Sequence, residues 1–374
     1  MTPVTAGQAA LFLAVVGARF VVPLFIPRFP LPAIIGALVL DAVDQTIFQF
    51  FGYDPPGYQG YDKAMDVYYL AIAYLSTMRN WTSEPAIRVA KFLYFYRLVG
   101  VVAFELTGWR PLLLIFPNTF EYFFIAYEIF RVRRDPARRG ELRPWVVTAA
   151  VIWIFIKLPQ EWWIHVAQLD FTEAVADFPW LAFATGVVAV ALAWVAWRWV
   201  GPRLPAPDWA WRVRADALPE EMDTAAERRQ WILGRRWVFS TGTLEKVVLV
   251  GLISVIYGQV LPGRSSTDLQ LFLAMAVFVV VNAAGSLWMA RRSRAVESVA
   301  VAFALRTLLN SALVLLADWL LNREGGDLNL GNALFFVLLL SLLTLLDDRY
   351  RPVYEARFPP RVITVGSEAG SETR

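Results

Sequence analysis

Charged side chains interrupt most of the long apolar runs of this 374-residue chain, and their spacing groups them into faces that could do chemistry. Asp41, Asp44, Gln45 and Gln49 follow i, i+3, i+4, i+8 and make one polar stripe if 31–52 is helical. Lys157, Glu161 and His165 recur every four residues, with Pro159 inside the ladder to kink it. Arg97 and Glu105 share a face, as do Asn118 and Glu121 beside Pro117, and Arg306 and Asn310. The adjacent Glu245 and Lys246 point different ways and need separate partners. Arg97, Lys157 and Arg306, helped by Asn118 and Glu121, are candidates to hold an anionic substrate. Asp41, Asp44, Glu105 and Glu161 are candidates to carry protons or a cation. An ionised group at a bilayer centre costs about 2.5–3.5 kcal/mol on insertion scales, so a chain with this many is expected to pair them around a polar interior.

Composition places these faces in a membrane. Hydrophobic residues make up 57% of the chain and the mean hydropathy is +0.48. Repeated apolar stretches of about 20 residues predict an all-α, polytopic fold. The 16 Trp, 13 Tyr and 26 Phe suit membrane interfaces and helix packing. Cysteine is absent, which excludes disulfides, iron–sulfur clusters and Cys-ligated zinc. His165 is the single histidine, which excludes bis-His haem and His-rich metal sites. The net charge of +3 reflects arginines clustered in short loops, a topology signal, and not affinity for nucleic acid. Only four of the 35 basic residues are Lys, and this Arg-, Ala- and Val-rich bias suits a high-GC bacterial genome. The first apolar segment lacks a basic start and an A-x-A cleavage signal, so it is expected to be retained.

Eleven segments have spanning length: 7–27, 31–52, 63–80, 86–107, 110–131, 144–166, 179–200, 238–261, 268–290, 295–321 and 328–347. Loops 131–144, 198–236 and 291–294 and the tail are rich in Arg, whereas loops 53–61, 167–178 and 322–327 are acidic or poor in Lys and Arg. With eleven spans the two classes alternate sides. The positive-inside rule then places the N-terminus outside and the C-terminus in the cytoplasm, in a bacterial cytoplasmic membrane. The chain divides into a seven-helix region 1–200 with most of the buried charges, a cytoplasmic loop 201–237, a four-helix region 238–347, and a partly disordered cytoplasmic tail 348–374. Within the loop, Trp231, Ile232 and Trp237 among Arg228, Arg229, Arg235 and Arg236 read as a short amphipathic helix on the lipid surface or as a solvated connector. By depth, Asp41, Asp44, Arg97, Glu121 and Arg306 fall near mid-membrane. Asp62, Asp66, Glu105, Glu161, His165 and Asp318 fall in the outer half. Arg19 lies deep in the first helix, ahead of Pro23.

One spacing is more specific. Asp41-x2-Asp44 is followed, after 17 residues, by Asp62-x3-Asp66. Over residues 8–166 this resembles the signature D-x2-D-G-x2-A-R-x8-G-x3-D-x3-D of the CDP-alcohol phosphatidyltransferases. Gln45, Phe48-Gln49 and Tyr58 stand where that motif has Gly, Ala-Arg and Gly. The resemblance implies a membrane enzyme in which Asp41, Asp44 and Asp62 hold Mg²⁺ or Mn²⁺ and Asp66 is a ligand or general base, with metals neutralising a pyrophosphate while a hydroxyl attacks.

Three functions follow as expectations. The first is a transporter, or another handler of an anionic solute or lipid, with no cofactor and a mid-membrane polar site. The second is a membrane-embedded transferase acting on a lipid-linked substrate through a carboxylate-bound divalent metal. The third is an accessory membrane subunit whose charges join helices. The expected partners are the lipid bilayer, the small anionic solute or lipid, and a second copy of the chain in a homo-oligomer.

Overall fold

Thr5 opens the first helix with a capping box: its hydroxyl accepts from Gln8 N at 3.3 Å, and its own N–H donates to Gln8 Oε1 at 3.0 Å. From there the computed structural model describes residues 5–53, 55, 58–167, 178–203, 206–222, 224, 226–227, 230, 233, 240–260, 268–291, 299–321 and 330–359. Among them every regular element is helical. These are α1 (Ala6–Val21), α2 (Pro30–Phe50), α3 (Tyr58–Asn80), α4 (Glu84–Thr107), α5 (Pro111–Ile115), α6 (Thr119–Arg131), α7 (Leu142–Ile152), α8 (Trp180–Val195), α9 (Thr241–Val260), α10 (Asp268–Arg291), α11 (Val299–Leu321) and α12 (Leu330–Arg357).

Five helical stretches are long and apolar enough to cross a membrane: Ala6–Phe25, Pro30–Phe50, Pro111–Arg131, Leu142–Ile164 and Thr241–Gln259. The other expected spans are also helical where they are described, and their described residues do not reach that length and apolarity together. In α3 the reason is Asp62, Lys63, Asp66, Ser76, Thr77 and Arg79. Yet α3 is the most enclosed helix, with residues 67–78 all buried and α4, α9 and α12 packed around it. Its hydroxyls are satisfied within the helix, Ser76 donating to Ala73 O at 2.8 Å and Thr77 to Tyr74 O at 2.7 Å. Neighbouring helices take the place of solvent around its polar residues.

Pro23, Pro117 and Pro159 interrupt regular α-helix. Pro23 lies in a 3₁₀ turn, Val22–Phe25, that ends the first helix. Pro117 separates α5 from α6, so the expected continuous span 110–131 is two helices meeting at 116–118. Pro159 has no N–H for the carbonyl of Phe155, and the helix beyond α7 widens into π turns, Trp153–Lys157 and Trp162–Val166, on either side of Leu158–Glu161.

At the first of these breaks, α4 approaches closely. A Cβ added at Gly100 would lie 2.1 Å from Phe116 Cβ. Gly100→Ala is therefore expected to cost about 1–3 kcal/mol, read as a lower unfolding temperature in detergent. Gly17→Ala, with open space around it, is the control and should leave stability unchanged or slightly raised.

Two described segments outside the expected spans also carry structure. Helix α12 runs through Pro352 to Arg357, beyond the expected span 328–347. Segment 206–222, the described start of the expected loop, is held against the bundle. It is strapped across helix ends by backbone bonds from Asp208 N to Arg133 O, Arg212 N to Val132 O and Ala215 N to Arg28 O. Beneath it lie Trp81, Glu128 and Arg131, all fully buried, with Arg131 Nε donating to Glu128 at 2.6 Å and Trp81 Nε1 to Glu128 at 2.8 Å. The amphipathic-helix residues Trp231, Ile232 and Trp237, the side chains of His165 and Asp318, and residues 360–374 lie outside the described residues.

Candidate functional site

Arg19, 3% exposed at its side chain, is the hub of the N-terminal charges. It projects from α1 between α2 and α3. Nη1 donates to Asp44 and Asp62, and Nη2 donates to Asp41 and, at 2.7 Å, to Asp66. Tyr58 OH donates to Asp44 as well. The stripe on α2 and the i, i+4 pair on α3 thus turn toward one guanidinium, whose planar fork serves several carboxylates at once.

Carboxylate oxygens of Asp41, Asp62 and Asp66 lie within 4.8 Å of one another. This is a spacing that a hard divalent cation could bridge, and all-oxygen donors are the set it prefers. Three of the four aspartates that the resemblance implies, all but Asp44, therefore fit such a metal, with one condition. Arg19 already uses these oxygens, so a bound cation would have to share them or move the guanidinium aside.

Asp41 and Asp66 also line a cavity of about 320 Å³ enclosed by α2, α3, α4, α5, α6 and the helix beyond α7. Arg97, Glu105, Asn118, Glu121, Lys157 and Glu161 line it too, so eight polar residues from separate parts of the sequence converge on one space. Glu121 is 3% exposed and accepts from Tyr69 OH at 2.6 Å and from Asn118 Nδ2 at 3.0 Å. Glu161 accepts from Asn118 N at 3.1 Å, a backbone donor released by the break at Pro117. Lys63, at the rim, pairs with Glu105 at 3.1 Å.

The two deep basic groups differ from these. Arg97 Nη1 donates to Phe116 O at 2.9 Å. Lys157, 3% exposed, donates to Gln160 Oε1 at 3.0 Å and lies 4.2 Å from the centre of the Tyr122 ring. Neither lies within ion-pair distance of a carboxylate among the described residues, although the Glu121 charge acts on both across the cavity. Two cations on one cavity, bonded only to neutral groups, retain the capacity to bind an anion.

Of the residues singled out in the sequence, Asp44 faces Arg19 and does not line the cavity, and Arg306 is elsewhere. Arg306 donates to Asp348 at 2.7 Å in a second charge cluster between α9, α11 and α12. There Lys246 reaches Asp347 at 2.9 Å and Asp348, while Arg351 reaches Asp347 at 2.6 Å and Glu245 at 3.1 Å. That cluster pairs cation with anion throughout and is helix-joining chemistry. Asn310, one turn beyond Arg306 on α11, bridges Asn282 and Ser341. Sequence reasoning missed the central role of Arg19, and it missed Tyr69, Tyr94 and Gln160 on the cavity wall. Arg19 had a signal, its depth in an apolar helix. The tyrosines, lying among other aromatics, had none.

No family model matches the chain, and no curated protein or solved structure is significantly similar to it.

Proposed function

We propose that this is an integral membrane protein that binds and moves an anionic solute or lipid, with Arg97 and Lys157 holding the anionic group. The observation that carries the reading is that both line one cavity and neither has a carboxylate ion-pair partner among the described residues. On this reading the chain crosses a bacterial cytoplasmic membrane eleven times with its N-terminus outside. The charges around the cavity and the Arg19 hub support coupling to protons or a cation. Arg19, Lys63, Arg97 and Lys157 face Asp41, Asp44, Asp62, Asp66, Glu105, Glu121 and Glu161, an excess of acid that must be neutralised in a low-dielectric site. Asp41, Glu105 and Glu161 line the same space as the anion and would carry that coupling.

The test is stabilisation of the purified protein by millimolar inorganic phosphate or glycerol 3-phosphate. The parent should gain unfolding temperature. Arg97→Gln and Lys157→Gln should weaken binding about ten- to a hundredfold, the worth of a hydrogen bond to a charged group. Arg306→Gln should leave it intact. Indifference of the parent to both anions would sink the reading.

A second reading, a transferase acting on a lipid-linked substrate with Mg²⁺ or Mn²⁺, is favoured by the convergence of Asp41, Asp62 and Asp66 beside the same cavity. In it the aspartates would hold the metal, and Arg97 and Lys157 would orient a phosphate-bearing substrate.

A further inference from the structure

Apolar side chains also line the cavity, among them Leu98, Val101 and Phe104 of α4, Leu113 of α5, and Ile164 beyond Pro159. On α4 these apolar residues lie between Arg97 and Glu105, along a helical rise of about 12 Å. Arg97, Val101 and Phe104 follow i, i+4, i+7, so the wall continues directly from the anion-holding group along one face. Apolar walls do nothing for a small hydrated anion, which would lose water to them without compensation. They suit a hydrocarbon segment, which exchanges apolar lipid for apolar wall with no desolvation cost. The volume of about 320 Å³ falls within the ~300–1,000 Å³ of small-molecule sites and exceeds what a bare inorganic anion fills. Part of this apolar lining also reaches the outside of the bundle. Ile164 lines the cavity and is 47% exposed, next to Trp162, Trp163 and Val166, which are 51%, 37% and 46% exposed.

We propose that the ligand is an amphiphile: a phosphate-type anionic headgroup held by Arg97 and Lys157, with its hydrocarbon part lying along Val101, Phe104, Leu113 and Ile164. This rests on the reading of the cavity as an anion site and narrows it from solute or lipid to lipid. The charged floor selects the headgroup, and the apolar wall retains the chain and connects it to the bilayer. Entry is sideways past Ile164, so the chain need not cross water.

Native mass spectrometry of the full-length protein tests this with three probes: dioleoyl phosphatidic acid, dioleoyl phosphatidylcholine and glycerol 3-phosphate. Phosphatidic acid should be retained about tenfold better than phosphatidylcholine and compete with glycerol 3-phosphate for the same site. Val101→Trp, which fills the wall, and Val101→Asn, which replaces its methyls with a polar amide, should each lower phosphatidic acid retention about tenfold and spare glycerol 3-phosphate. Lys157→Gln should weaken both. Equal retention of the two lipids, or phosphatidic acid retention untouched by either Val101 variant while glycerol 3-phosphate still binds, overturns the lipid assignment and leaves the anion site standing. Failure of every probe to bind the parent overturns both.

Discussion

Arg19→Gln is expected to destabilise the protein by about 3–5 kcal/mol, the scale for removing one partner of a buried ion pair. The guanidinium is 3% exposed at its side chain and binds four aspartates from two helices. Glutamine offers no charge and fewer donors, so Asp41, Asp44, Asp62 and Asp66 would repel one another where α1, α2 and α3 meet. Arg19→Lys should fall between the two, because it keeps the charge and loses the planar fork. Thermal unfolding in detergent, followed by tryptophan fluorescence, measures the series. Manganese adds a second readout. If the carboxylates can hold a divalent cation, Mn²⁺ should restore Arg19→Gln by about 2.7 kcal/mol at a hundredfold excess over its dissociation constant. It should do less for the parent, where Arg19 competes. An Arg19→Gln protein as stable as the parent would mean that the guanidinium is not what holds the cluster together. Mn²⁺ without effect on either protein would remove the basis for the metal-dependent reading.

The second large effect belongs to the C-terminal cluster. Arg351→Leu should also cost about 3–5 kcal/mol, since it strips Asp347, fully buried, of its hydrogen bond at 2.6 Å and leaves it to Lys246. Glu245 would lose one partner and keep Lys91 at 2.6 Å. The arginine is built into the packing as well: a Cβ at Gly242 would lie 2.7 Å from Arg351 Cδ, so α9 leaves room for it. The double variant Arg351→Leu, Asp347→Leu should recover much of the loss, because an apolar pair replaces an ion pair with little net penalty. Anion binding at the cavity should survive both variants if they fold, since neither residue lines it. Loss of anion binding in a folded Arg351→Leu protein would contradict the separation of helix-joining charges from ligand-holding ones.

That separation marks what could be read along the chain and what could not. The helices were legible because apolar length and helical spacing are local properties. The prolines at 23, 117 and 159 and the polar stripe at 41, 44 and 45 lie where their own chemistry places them. The ends of elements were less so. Asp62 lies inside α3, which starts at Tyr58, and α12 continues past a proline to Arg357, because packing carries helices through residues that local preference would end them at.

By itself, the sequence determined that this chain is helical, rich in apolar segments and in charges that need partners. The aspartate spacing could be seen to matter. Which charge meets which was decided only by tertiary structure. Arg97 and Arg306 look alike in sequence, each a lone arginine in an apolar run. One opens onto a cavity bonded to a carbonyl, and the other is bonded to Asp348, 42 residues along the chain. The Coulomb energy of a pair depends on its distance and on the dielectric around it. Neither is a property of spacing along one helix, so the four aspartates could be counted in the sequence while the arginine at their centre could be assigned only in the fold.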